Sequence, residues 1–410
     1  MSAHTNWLFC EPNSFRMRST IGNGTMNTNY SKQVLNKTKA ESGFRKRLSL
    51  LAFRSPRLVV VVAVLSYCLI GARVRAQTDE LKPTSAIPVI LNAFDRYPIV
   101  ALGDLHGCEE FWDFASSLLQ TSDLPNRIND VGVEFGNALY QDVCDCYIAG
   151  QDVPLSEVQK IWRNTTQLIA LDSPVYEQFF VTVRDINKKL PAEKRLRVLL
   201  ADPPLDWSTT PDSKLKLEWG RAMFRRDSHF AGVVEKEVLA KGRKALLITG
   251  GAHLVRGVST NNTTGHIERL SPHSMFIVIP HEGFFSERND ELESRLASWK
   301  PGTLALIKGT WLGALHPGLR WPQMARAKLK GPDAPNRDPK LEDVADAWLF
   351  VGMRDSLTEV LPHPRIYRDD YWNELNRRNL IVYGKRVDDP ENIQAEFNTS
   401  ARYYVKPKQP

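Results

Sequence analysis

The sequence predicts an α/β fold: a mostly parallel sheet flanked by helices, with a working site at the carboxyl ends of the strands. Three observations predict it. Short apolar runs recur along the chain, each is followed by a polar or helical stretch, and the runs are continuous in β-branched residues and Leu, as in strands covered on both faces. Strands are expected at Pro98 to Gly103, Asp130 to Glu134, Leu196 to Ala201, Ala245 to Thr249, Met275 to Ile279, Thr303 to Ile307 and Trp348 to Val351. Helices are expected near Glu109 to Leu119, Ala138 to Ile148, Ser156 to Ile161, Pro174 to Lys188 and Lys214 to Ala240. The Pro- and Asp-rich stretches 203–213 and 318–342 read as surface loops, and Ile366 to Pro410 reads as a final helix with an extended arm.

Charge separates the chain into two parts. The 410 residues carry 54 Lys and Arg against 47 Asp and Glu, a net of +7. Twelve of the basic residues but only two acids, Glu11 and Glu41, fall within residues 1 to 76, so the rest holds 42 basic and 45 acidic side chains, a net of −3. The basic excess belongs to the amino-terminal part, and nucleic-acid binding by the remainder has no support. In that part Arg45, Lys46, Arg47, Arg54 and Arg57 precede an apolar run from Leu58 to Gly71, the order of a secretory signal. The run is about 14 residues, short of the roughly 20 that span a bilayer, and Val74-Arg75-Ala76 predicts cleavage before Gln77. Arg73 and Arg75 keep the alternative of an uncleaved anchor over residues 58–71. The expectation is a disordered leader with a signal peptide or signal anchor over 1–76 and one α/β domain with a C-terminal extension over 77–410. That domain is expected to be secreted or periplasmic, meeting a membrane only through an uncleaved leader.

Three cysteines follow Gln77: Cys108, Cys144 and Cys146. An odd number in an oxidising compartment suggests one disulfide and one free thiol. Cys144 and Cys146 stand two apart on an expected helix and diverge, so the expected pair is Cys108 with Cys144 or Cys146, closing a loop of roughly 36 to 38 residues worth about 3 to 4 kcal/mol. Three unpaired thiols are the other reading.

Ligands of open α/β sheets bind beyond the carboxyl ends of the strands. There the first run delivers Gly103-Asp104-Leu105-His106-Gly107, the second Glu134-Phe135-Gly136, the third Asp202-Pro203-Pro204, and the fourth Gly250-Gly251-Ala252-His253. A single histidine after a strand is ordinarily a hydrogen-bonding loop residue, but two histidines and a carboxylate at matched strand ends form a constellation. Imidazole can take a proton from water near neutral pH while a carboxylate fixes its tautomer, and the same groups suit a divalent metal, with His106 and Glu134 as ligands. Asp104, Gly107 and Gly250 flank the group as substrate contacts, the glycines letting backbone approach a ligand closely. Arg226 and Asp227, on a helix with Arg221 and Arg225, read by themselves as a solvated charged face. His266, His273, His281, His316 and His363 read as loop or surface histidines, and Trp207, Trp219, Trp311 and Asp370-Tyr371-Trp372 as core or lid aromatics.

Gly103-Asp104-Leu105-His106, Val133-Glu134, Arg226-Asp227-Ser228-His229-Phe230-Ala231 and Gly250-Gly251-Ala252-His253 together resemble the superfamily of erythromycin esterases, ChaN-like haem-uptake proteins and Tiki/TraB-type proteins. The resemblance spans roughly Ile99 to Val278 and rests on the order and spacing of short motifs. It implies that His106, Glu134, the pair Arg226 and Asp227, and His253 line one pocket, as catalytic or substrate-contacting groups. Asp104 departs from the pattern, standing where Glu is usual. So does the spacing from Gly103 to His106, that of the ChaN and Tiki/TraB types and one residue shorter than in the esterases, so the resemblance does not imply macrolide hydrolysis. His229 and Phe230 also stand where a Met is usual.

Two active function classes follow, beside a third in which a secreted scaffold keeps the fold and has lost activity, for which Asp104 leaves room. One is an exported hydrolase in which His106 is the general base, Glu134 orients it, and His253 or Arg226 steadies an oxyanion, acting on an ester, lactone or peptide with or without metal. No Gly-x-Ser-x-Gly elbow is present, which favours direct attack by water over a serine nucleophile. The other, implied by the ChaN-like members, is a binding protein for non-covalent haem or another small ligand.

Overall fold

In the computed structural model the described residues are 81–168, 172–257, 261–281, 289–316, 339–360 and 370–387. The chain divides into two units, Met1–Ile70 and Gly71–Pro410, and all described residues belong to the second. The leader, the stretch 318–338, His363 and the extended arm lie outside them. Among the described residues no helix is long and apolar enough to cross a membrane.

Among the described residues, eight strands form one sheet: β1 (Thr84–Ser85), β2 (Ile99–Asp104), β3 (Asp130–Asn137), β4 (Arg197–Asp202), β5 (Ala245–Gly250), β6 (Met275–Pro280), β7 (Thr303–Leu306) and β8 (Ala347–Phe350), in the spatial order β1-β7-β8-β6-β2-β5-β3-β4. From β8 through β6, β2, β5 and β3 to β4 every pairing is parallel, while β7 runs antiparallel to β8 and β1 antiparallel to β7. The expected α/β sheet is present, and all seven expected strands lie within it. The two-residue β1 was too short for any apolar period to announce.

Both faces of the sheet are covered, which is why its strands read as unbroken apolar runs. Val100 and Leu102 of β2 and Leu246 and Ile248 of β5 face one layer, with helices α1 (Ala86–Ala93), α2 (Glu109–Leu119), α4 (Gln141–Ile148), α5 (Leu155–Arg163) and α6 (Pro174–Lys188). The short α3 (Leu124–Arg127) joins α2 to β3. Ile99, Ala101, Ala245 and Leu247 face the other layer, with α8 (Arg226–Glu237), α9 (Thr263–Leu270), α10 (Asp290–Leu296) and α11 (Leu341–Val344). A third cluster joins Trp207 to Leu215 of α7 (Asp212–Phe224) and Leu375 and Val382 of α12 (Asp370–Tyr383).

Three expectations are corrected. The helix expected over Lys214 to Ala240 breaks at Arg225, whose φ of −99° and ψ of 6° end α7 and start α8. The disulfide is absent: Cys108, Cys144 and the half-buried Cys146 are all free. Cys108 precedes α2 and the other two lie on α4, and α6 packs against both of these helices. Finally, His281 is a buried histidine at the end of β6, its Nε2 2.8 Å from Glu293 Oε1.

Candidate functional site

The order of strands in the sheet gathers the site. The chain goes outward from β2 to β3 and β4, returns to insert β5 between β2 and β3, then crosses β2 to reach β6, so the carboxyl ends of β2, β5 and β3 are adjacent where the direction of winding changes. The break at Arg225 brings the first turn of α8 to the same edge, where its Asp227 carboxylate also suits the positive end of the helix. β3 adds one more device. Its pairing with β4 shifts register between Val133 and Asn137, the stretch that carries Glu134.

All five residues expected to be catalytic converge there. Glu134 is buried at the centre. Its Oε2 accepts a hydrogen bond from Arg226 at 3.0 Å and lies 3.3 Å from His253 Nε2, and its Oε1 accepts the backbone N–H of Gly250. Arg226 Nε donates in turn to Asp202 Oδ1 at 3.1 Å, and Asp202 is held by the Thr166 backbone N–H and hydroxyl at 2.7 and 2.5 Å. On one flank His253 Nδ1 sits 2.6 Å from Asp227 Oδ1, which also accepts the N–H and hydroxyl of Thr263, each at 2.8 Å. On the other flank His106 Nδ1 sits 2.7 Å from Asp104 Oδ2, while its Nε2 stands 3.8 Å from Glu134 Oε1, beyond hydrogen-bond reach.

The two histidines are therefore not equivalent. Burial works against a charge on His253, but the Asp227 and Glu134 carboxylates on its two nitrogens outweigh it and raise the imidazole to about 10. Burial likewise opposes charge on Glu134, yet His253, Arg226 and His106 hold its carboxyl well below the usual range. His253 and Glu134 are a fixed ion pair at neutral pH. His106 is the more exposed of the two rings, and burial, which lowers it, is overcome by Asp104, which raises it. Burial in turn pushes the Asp104 carboxyl up, so the proton between these two groups belongs to the pair.

Of the residues expected as substrate contacts, Asp104 is instead the partner of His106. Gly250 lines the gap between Glu134 and His106: a Cβ there would lie 3.1 Å from both Glu134 Oε1 and His106 Nε2. Gly107 turns the loop with a φ of +68°, a conformation that favours glycine. Asp202 stood out in the sequence as a strand end. Tyr176, Thr166 and Thr263 did not, because they reach the site from helix and loop positions with no motif spacing to Glu134.

Asp104, His106 and Glu134 each place a ligand atom within 4.8 Å of the others. Asp104 Oδ1 is buried without a hydrogen-bond partner, and the three side chains are of types that suit a divalent cation, although Arg226 and the charged His253 both press against one.

No family model matches the chain, and no curated protein matches it. Solved structures similar to it include an erythromycin esterase and a ChaN protein. A protein from Bacillus cereus is 11% identical with a TM-score of 0.45, covering 67% of this chain and 95% of its own. The erythromycin esterase EreC in its open conformation is 12% identical with a TM-score of 0.42, again over 67% and 95%. ChaN of Campylobacter jejuni, solved with cofacial haem, is 15% identical with a TM-score of 0.31, over 49% and 87%.

Proposed function

We propose that the chain is an exported hydrolase in which His106 draws a proton from water and directs it at the carbonyl of an ester, lactone or peptide. The asymmetry of the two His–Asp pairs supports this reading. His253 has both nitrogens committed to carboxylates, whereas His106 commits only Nδ1 and keeps Nε2 at the open gap above Gly250. With Asp104 accepting from Nδ1, the neutral ring carries its proton there and offers a lone pair at Nε2, as a general base requires. Glu134 is not a base itself, since two cations and an amide hold it ionised. It tethers His253 and Arg226 beside the gap, where their positive charge opposes the negative charge that builds on a carbonyl oxygen under attack. A divalent metal, when bound, would be held by Asp104, His106 and Glu134 and would supply Lewis acidity.

The test is a screen of purified protein against p-nitrophenyl esters, lactones and unstructured peptides, with His106→Ala beside the parent. The expected result is turnover by the parent that falls by roughly a hundredfold or more in the variant while the variant stays folded. Activity should rise with pH as His106 loses its proton, with a midpoint above the ordinary 6.5 of imidazole. Turnover that survives in His106→Ala would end this reading. A haem absorbance band in both proteins with no turnover would put the binding class in its place.

A further inference from the structure

Arg226 is buried, with 8% of its side chain exposed, and it already has a counterion in Glu134, whose Oε2 accepts from Nη2 at 3.0 Å. Asp202 sits against the same guanidinium, its Oδ1 accepting from Nε at 3.1 Å, and it too is buried. A second buried carboxylate on one cation costs desolvation and leaves the trio with excess negative charge, so charge balance does not explain Asp202. Direction does. One hydrogen bond at Nη2 lets a planar group swing about the contact, whereas a second at Nε fixes its plane and its edge. Asp202 is itself held: Thr166 gives its backbone N–H to Oδ2 and its hydroxyl to Oδ1, and the Thr166 carbonyl accepts from Trp219 Nε1 at 2.8 Å.

With Nε and Nη2 committed to carboxylates, the Nη1 end of the guanidinium has no hydrogen-bond partner among the described residues and is not enclosed. It stands at the strand ends, because Nη2 meets the Glu134 oxygen that His253 Nε2 also approaches, at 3.3 Å. We propose that Asp202 is a positioning residue, which turns Arg226 so that the N–H groups of Nη1 donate to the carbonyl oxygen of the substrate. The two carboxylates offset the charge of Arg226, which suits this end to a neutral carbonyl rather than to an anion. The donor role rests on the hydrolase reading, whereas the fixing of Arg226 by Asp202 is readable without turnover.

The experiment compares the wild type with Asp202→Ala by nitrogen-15 NMR of the arginine side chains in the full chain, the Arg226 signals being assigned by their loss in Arg226→Lys. The wild type is expected to show separate Nη1 and Nη2 signals for Arg226, because carboxylates on Nε and Nη2 stop rotation about the Nε–Cζ bond. In Asp202→Ala the two are expected to merge, which a loss of stability alone does not bring about in a protein that is still folded. Merged signals in the wild type, or separate ones in a folded Asp202→Ala, overturn the proposal. Should Asp202→Ala fail to fold, Asp202→Ser takes its place, since it keeps a hydroxyl in the cavity and is one bond too short for Arg226; separate signals there overturn the proposal equally. On a p-nitrophenyl ester that the wild type turns over, kcat of Asp202→Ala should fall at least about tenfold while KM changes less than about threefold. In an Arg226→Lys background the same change should add less than about twofold, because the group being positioned is gone. A fall carried by KM, or an equal fall in both backgrounds, overturns the donor role. No turnover by the wild type would end the hydrolase reading and the donor role with it, and leave the positioning to be decided by the Nη signals.

Discussion

His253→Gln isolates one charge and should reveal it as a change in stability with pH. The wild-type imidazole is raised to about 10, against 6.5 for the free ring. A folded-state value above the unfolded one gives stability that is fully present below 6.5 and lost as pH climbs through 10. From 6.5 to 9 the loss covers 2.5 units at about 1.36 kcal/mol each, roughly 3.4 kcal/mol. The His253 side chain is 21% exposed and Asp227 26%, so solvent screens the pair and about 2 to 3 kcal/mol is the working figure. Glutamine holds a neutral donor at the same place and does not titrate. Glu134 and Asp227 are lowered, not raised, so neither changes charge between pH 6 and 9. Urea unfolding of both proteins at pH 6 and pH 9 is the assay: the wild type should exceed the variant most at pH 6, and the gap should shrink by about 2 to 3 kcal/mol at pH 9. A gap of constant size would refute the argument that His253 is charged between its two carboxylates.

Two further outcomes follow from the same geometry. Arg226→Met strips Glu134 and Asp202 of their shared cation while keeping the length of the side chain, and should cost about 3 to 5 kcal/mol in urea unfolding at pH 7; a loss under 1 kcal/mol would mean that the buried pair is not formed. Gly250→Ala sets a methyl 3.1 Å from both Glu134 Oε1 and His106 Nε2, so turnover should fall at least about tenfold with less than about 2 kcal/mol of stability lost, and unchanged turnover would show that the gap is not where water works.

The sequence announced the strands because each is buried on both sides, and burial writes itself as an apolar run. It announced Glu134 and His253 because they stand at the ends of such runs. The direction of β7 was hidden, since an apolar strand reads the same forwards and backwards. The break at Arg225 was hidden too: Met223-Phe224-Arg225-Arg226 contains no Gly or Pro, and tertiary contacts of Arg226 with Glu134 and Asp202 set the new helix start. Tyr176 lies 72 residues from Asp104 in a helix whose apolar face explains it fully as core. His281 looked like a loop histidine because its partner Glu293 belongs to another element.

The order of strands also sets when the site can first exist as the chain is made. β2 emerges first of the parallel strands, yet both of its neighbours, β5 and β6, come more than a hundred residues later, while β3 and β4 pair with each other sooner. A sheet stitched by such distant partners closes late and slowly. A nascent chain that has passed Glu134 still lacks Arg226, His253 and the Thr263 that holds Asp227, so the cluster around Glu134 is incomplete until Thr263 has been made. Until β5 slots between β2 and β3, Glu134 lacks the Gly250 N–H and the His253 imidazole that pair with it.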